Sequence, residues 1–204
     1  MLNRYARAFF TRVLTPVAAF LLRLGISPDV VTIVGTLGVT VGALAFYPRG
    51  ELFVGTLVIT AFVFSDTVDG IMARRLGRTS SWGAYLDSTL DRVGDAAIFG
   101  GLVLWYAGRG DETLMAGLAL TCLILGSVVS YAKARAEGLG MTANVGIAER
   151  ADRLVAVLVA TGLTGLFGIP SVFLGTVLAL LALASLVTVV QRILTVRRQA
   201  LGAG

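Results

Sequence analysis

Long apolar stretches alternate with short polar breaks along almost the whole chain. They run over roughly 30–47, 52–73, 84–107, 114–132, 153–169 and 171–191, and each approaches the ~20 residues that a membrane-crossing helix needs. The last two are parted only by Gly168, Ile169 and Pro170, a helix-breaking turn. The segment before the first stretch follows a different pattern. At helical spacing Leu2, Tyr5, Phe9, Val13, Val17, Phe20 and Leu24 gather on one broad face, with Arg12 and Arg23 along its edge. Such a face suits a helix lying in the membrane interface, with Pro16 marking a kink. Arg12, Pro16 and Arg23 leave no uncharged run long enough for a span, and no small-residue cleavage site follows to make a signal peptide. The pattern therefore predicts an all-α integral membrane protein with six transmembrane helices preceded by an N-terminal interfacial amphipathic helix. Residues 1–25 form that helix, 28–198 the six-helix bundle, and 1–204 a single membrane domain.

Composition agrees. Of 204 residues 56% are hydrophobic and 14% charged, with mean hydropathy +0.87. A soluble domain of this length lacks the interior to hide so much apolar surface, so the lipid bilayer is part of the solvent. Fourteen Lys and Arg residues fall on the side of the two termini and only Arg49 and Arg109 on the other, with Arg92 inside the third span. That bias places both termini in the cytoplasm and the protein in the cell membrane. Cys122 is the only cysteine, and histidine is absent. A disulfide framework within the chain is thereby excluded, and any metal must be a hard, oxygen-bound one. Gly35, Gly38 and Gly42, like Gly162, Gly165 and Gly168, are spaced for close helix packing. There is no internal repeat, and nucleic acid is not among the expected partners.

Charge within the apolar pattern carries the chemistry. Asp66, Asp69, Asp87, Asp91 and Asp95 sit inside or at the cytoplasmic ends of spans two and three. Carboxylates at membrane depth are costly and mark function by default. Asp66, Asp69 and Ala73 share one helix face by three- and four-residue steps, and Asp87, Asp91 and Asp95 share another. The short connection Leu76–Trp82 makes the two spans antiparallel, so the faces can meet. Converging like charges repel unless cations lie between them, and oxygen-only ligands select Mg²⁺ or Mn²⁺. The competing explanation pairs the aspartates with Arg74, Arg75 and Arg92, which are too few to neutralise them all; it fits Asp95 best.

Asp66-x-x-Asp69-Gly70-x-x-Ala73-Arg74, eight residues, then Gly83-x-x-x-Asp87-x-x-x-Asp91 resembles the complete signature of the class I CDP-alcohol phosphotransferase family. The topology is similar too, so the likeness covers nearly the whole chain. The resemblance implies that Asp66, Asp69, Asp87 and Asp91 hold two divalent ions against the pyrophosphate of a CDP-linked lipid, CDP-diacylglycerol. It implies that Asp91 doubles as general base, and that the enzyme is a homodimer. It also implies that Pro28, Asp29, Thr32, Gly70, Ala73, Arg74, Thr79 and Gly83 border the nucleotide. Pro28 and Thr32 are equally explained as helix-start residues. Phosphoryl transfer suits such a site, since it needs charge neutralisation and positioning more than a protein nucleophile.

The acceptor must be read from other cytoplasmic residues. Ser130, Lys133 and Arg135 end span four, Arg150 and Arg153 open span five, and Arg192 closes span six. Three cationic helix ends suit a phosphorylated alcohol, because guanidinium grips phosphate oxygens bidentately. Ser130, Lys133, Arg135, Arg153 and Arg192 are the acceptor-phosphate candidates; Arg150, like Arg197 and Arg198, reads as a positive-inside anchor. Lys133 and Arg135 point to opposite sides of a helix, so only one enters a pocket, and Lys133 is the better placed. Glu149 and Arg153 are spaced to pair. Residues 130–153 resemble prokaryotic family members that use inositol phosphate; glycerol 3-phosphate is the nearest competitor. An ion-coupled transporter would spread its acidic residues through the membrane, whereas spans four to six carry none in their interiors. A pure scaffold would have no use for facing carboxylates.

Overall fold

In the computed structural model the backbone is described for residues 2–77 and 80–202, and side chains from Arg12 onward. Among these residues the regular structure is entirely helical. The elements are α1 (Leu2–Arg23), α2 (Pro28–Phe46), a 3₁₀ turn (Tyr47–Arg49), α3 (Leu52–Val63), α4 (Ser65–Arg75), α5 (Ser81–Ala107), α6 (Thr113–Glu137), α7 (Arg150–Phe167) and α8 (Ser171–Gly202). Four stretches are long and apolar enough to cross a membrane: Pro28–Arg49, Leu52–Arg75, Thr113–Glu137 and Ser171–Gly202. The remaining two of the six expected spans correspond to α5, which carries Asp87, Asp91 and Asp95 in its N-terminal portion, and α7, which opens with Arg150 and Arg153.

Helix boundaries follow local chemistry. Ser27 caps α2, its hydroxyl accepting from the Val30 amide at 3.3 Å, and Pro28 occupies the first turn, where its missing N–H costs nothing. Ser80 caps α5 in the same way through the Gly83 amide, at 3.0 Å. Gly168, left-handed at φ +61°, ends α7. One expectation needs correction. The stretch 52–73 is not one helix: it breaks at Phe64, whose carbonyl accepts from both Thr67 and Val68 and starts α4 afresh. Pro16 lies inside α1, which continues to Arg23.

The core runs between α2, α3, α5, α6, α7 and α8, with Ala43, Tyr47, Ile59, Ile98, Leu102 and Leu178 deeply buried. Close approach of α2 to the α3–α4 pair depends on Gly35, where a Cβ would overlap the Ser65 side chain. Gly165 similarly lets α7 meet the backbone at Phe53. Outside this core Val41, Leu57, Ile124 and Leu183 are exposed, which is the arrangement of a bundle whose outer surface meets lipid. Helix α1 packs Leu14, Ala18, Leu21 and Leu22 against Val68, Ile71 and Met72 of α4. Its Val13, Val17, Phe20 and Leu24 point away and are exposed; the side chains of Leu2, Tyr5 and Phe9 lie outside the described residues.

Candidate active site

Helices α4 and α5 bring the aspartates together at one end of the bundle. Asp66, Asp69 and Asp87 each offer a carboxylate oxygen, and these oxygens lie within 4.8 Å of one another. Asp69 is the most buried of the three, and its Oδ2 accepts from the Thr32 hydroxyl at 2.5 Å. Thr32 also bonds the Pro28 carbonyl, so the start of α2 orients an aspartate of α4. Asp29, beside it, accepts from the Trp82 indole at 3.0 Å and ties α2 to the start of α5.

Asp91 is oriented otherwise. Its Oδ1 contacts Arg150 Nη1 at 2.6 Å, and the same guanidinium reaches Asp66 at 3.3 Å and Asp95 at 3.1 Å. Arg92 adds contacts to Asp95 at 3.4 Å and Asp91 at 3.7 Å. Arg150 precedes the expected fifth span. Burial opposes its charge, and the carboxylates of Asp95, Asp91 and Asp66 around it offset that cost. The expectation that Arg150 is a surface anchor is therefore corrected: it is the principal counter-ion of the acidic cluster. The pairing of Asp95 with arginine is present, through Arg92 and Arg150; Arg74 and Arg75 are exposed. A sequence signal for Arg150 did exist, since it stands three residues before Arg153 on the same helix face.

The acidic trio fits a hard divalent cation. It is all oxygen, its members already converge, and one of them is fixed from behind by Thr32, which is how ligating carboxylates are held. Of the expected nucleotide-contacting residues, Gly70 lies beside the Arg74 guanidinium, which an added Cβ would meet at ordinary contact distance, 3.4 Å. Gly83 belongs to the α5 cap, Ala73 is half-buried, and Thr79 lies outside the described residues.

Beside the acidic cluster opens a cavity of about 740 Å³ whose lining includes Asp91, Arg92, Ser130, Lys133, Arg150, Arg153 and Arg192. Arg153 and Arg192 are buried, 3% and 6% exposed, and both are anchored by carbonyls. Arg153 donates to Ala148 at 2.9 Å and Gly126 at 3.5 Å; Arg192 donates to Val145 at 3.0 Å and Val129 at 2.5 Å. Those carbonyls belong to α6 and to the loop before α7. The loop is pinned to α8 by Thr188, whose hydroxyl accepts from the Ile147 and Ala148 amides at 3.2 Å each. Lys133 lines the cavity, 3.9 Å from Glu137, whereas Arg135 is exposed and outside the lining. The expected pairing of Arg153 with Glu149 is replaced: Glu149 and Asp152 form a capping box at the start of α7. Sequence reading also missed Ser88 and Arg92 as cavity residues.

A bundle of helices with a carboxylate trio beside a cationic cavity defines a transferase of phosphate-linked groups at a membrane. The chain belongs to the CDP-alcohol phosphatidyltransferase family, whose family model matches residues 25–196. It is similar to a phosphatidylinositol phosphate synthase of Streptomyces avermitilis, 63% identical over 98% of this chain and 84% of that one. A synthase of the same name from Cutibacterium acnes is 48% identical over 94% of this chain and 96% of its own. Among solved structures, a Mycobacterium tuberculosis phosphatidylinositol phosphate synthase with CDP-DAG bound superposes with TM-score 0.86. It is 44% identical over 91% of this chain and 94% of that one. The same protein in complex with manganese and citrate gives TM-score 0.84, at 44% identity over 90% and 88% of the two chains. Family membership makes the chain an enzyme and sets the transporter and scaffold alternatives aside.

Proposed function

We propose that the chain transfers a phosphatidyl group from CDP-diacylglycerol to inositol phosphate, forming phosphatidylinositol phosphate and releasing CMP. The observation that carries this reading is the cavity in which Asp91 faces two buried arginines and Lys133. Such an arrangement grips a phosphate at one end and leaves a hydroxyl near a carboxylate at the other. The names of the relatives support the acceptor, and the CDP-DAG-bound neighbour supports the donor.

Asp66, Asp69, Asp87 and Asp91 are the residues that would hold Mg²⁺ or Mn²⁺, two ions by the family resemblance; a manganese-bound neighbour supports the choice. Bound there, the ions neutralise the donor pyrophosphate and make CMP a better leaving group. The protein's own part is positioning and proton transfer. Arg153, Arg192 and Lys133 hold the acceptor phosphate, with Ser130 offering a hydroxyl. Asp91 takes the proton of the attacking hydroxyl, whose oxygen bonds the phosphatidyl phosphorus as the bond to CMP breaks. Arg74 balances charge on the departing phosphate. Pro28, Asp29, Thr32, Gly70, Ala73, Thr79 and Gly83 border the nucleotide, with Thr32 also orienting Asp69.

The remaining architecture follows the same reading. Helices α5 and α7 complete six spans, α1 lies in the interface with Val13, Val17 and Phe20 toward lipid, and residues 1–204 form one membrane domain. The site opens to the cytoplasm, where a soluble acceptor is available, and the homodimer rests on resemblance to the family. Purified protein in detergent, given CDP-diacylglycerol and Mg²⁺, should release CMP with inositol phosphate and far less with glycerol 3-phosphate, free inositol or serine. Activity with glycerol 3-phosphate alone would overturn the acceptor assignment.

A further inference from the structure

Arg150 occupies a position that neither substrate requires of it. Its one guanidinium contacts Asp66, Asp91 and Asp95, and so draws on two of the four aspartates assigned to metal. Asp91 is absent from the converging trio and is turned to Arg150 instead. Arg150 and Asp91 also form the shared wall of two spaces. One is a narrow cavity of about 20 Å³ that includes Asp66; the other is the large cationic cavity. Arg153 and Arg192 are tied to backbone carbonyls, whereas Arg150 contacts the carboxylates of Asp66, Asp91 and Asp95.

We propose that Arg150 is a built-in counter-cation that competes with metal for Asp66 and Asp91 and, once displaced, turns into the large cavity to bind the acceptor phosphate. The inference rests on the metal reading above and deepens it. A guanidinium at 2.6 Å already neutralises charge on Asp91 that a divalent ion would draw on, so metal entry and that contact oppose each other. The loosened guanidinium has an alternative close by, because Arg150 already lines the large cavity together with Lys133, Arg153 and Arg192. Metal loading would then raise affinity for a phosphate in the cavity, and a phosphate there would raise affinity for metal by the same factor. Arg150 is thus a positioning residue for metal and a contact for the acceptor, and it makes filling of the two sites cooperative.

The test uses the full chain in detergent, with Mn²⁺ titrated by electron paramagnetic resonance and inorganic phosphate as the acceptor probe. Arg150→Met should bind Mn²⁺ tighter than the parent by roughly tenfold. Mn²⁺ should strengthen phosphate binding in the parent, and that gain should shrink several-fold in the variant. Arg150→Lys guards against a folding failure: it keeps one charge but not the three-way contact, and should shift Mn²⁺ binding in the same direction by less. Mn²⁺ binding that is unchanged or weaker in both variants overturns the proposal. So does an undiminished effect of Mn²⁺ on phosphate. A parent that binds no Mn²⁺ sensitive to Asp87→Asn overturns the metal reading itself, and the competition with it.

Discussion

The aspartates of α4 and α5 and the cations of α6, α7 and α8 face one another across one site, yet they are held in place by different means. Asp66, Asp69 and Asp87 lie on two consecutive helices, at helical spacings that turn them inward, and take long-range contacts from the Thr32 hydroxyl and the Arg150 guanidinium. Arg153 and Arg192 are held by carbonyls from α6 and from the loop before α7, so their positions depend on two parts of the chain besides their own helices. The acidic side is therefore tuned for chemistry, and removing one member should leave the fold intact. Each buried arginine of the basic side is both a structural clamp and a binding group, and its removal should show in stability as well as in affinity.

The largest expected effect is on the acidic side. Asp91→Asn should lower the rate of CMP release by on the order of 10²–10⁴ with an unchanged melting temperature, read by assay and thermal unfolding on the same sample. A full rate in that variant would remove Asp91 as the base. Next, Thr32→Val deletes the hydroxyl behind Asp69 and should weaken Mn²⁺ binding by roughly 10–100-fold, measured by titration. No change would mean that the contact between α2 and α4 orients nothing.

Arg153→Ala tests the basic side. It strips the Ala148 and Gly126 carbonyls of a charged donor, at a cost of about 1.5–3 kcal/mol, and should raise KM for inositol phosphate roughly tenfold while KM for CDP-diacylglycerol barely moves. A larger change for the donor would place Arg153 in the wrong pocket. The smallest effects separate Lys133 from Arg135. Lys133→Ala should raise acceptor KM without lowering stability, because its half-exposed pair with Glu137 contributes below about 1 kcal/mol. Arg135→Ala, outside the cavity, should do neither; equal effects from the two would erase the distinction between them.

How much of this was legible beforehand varies along the chain. The spacing of Asp66, Asp69, Asp87 and Asp91 follows from helix periodicity, which any run of sequence displays, and their inward faces were readable directly. That at most one of Lys133 and Arg135 enters a pocket was readable for the same reason. Arg150 was not. It looked like a membrane anchor because its three partners come from α4 and α5, far away in the chain, and only helix packing brings them within reach. The break at Phe64 was hidden as well, since hydropathy is continuous across 52–73 and an apolar run carries no mark of where its hydrogen bonding restarts.

Taken alone, the sequence determined that the chain is helical, built for lipid, and equipped with aspartates suited to hard cations. Each of those properties depends on composition or on neighbours a few residues apart. Tertiary structure decided which cation answers which carboxylate, which arginines are spent on carbonyls, and that one cavity joins Asp91 to Arg153 and Arg192. Those relations rest on distances between separate helices, set by the packing of small residues such as Gly35 and Gly165, and local periodicity holds no record of them.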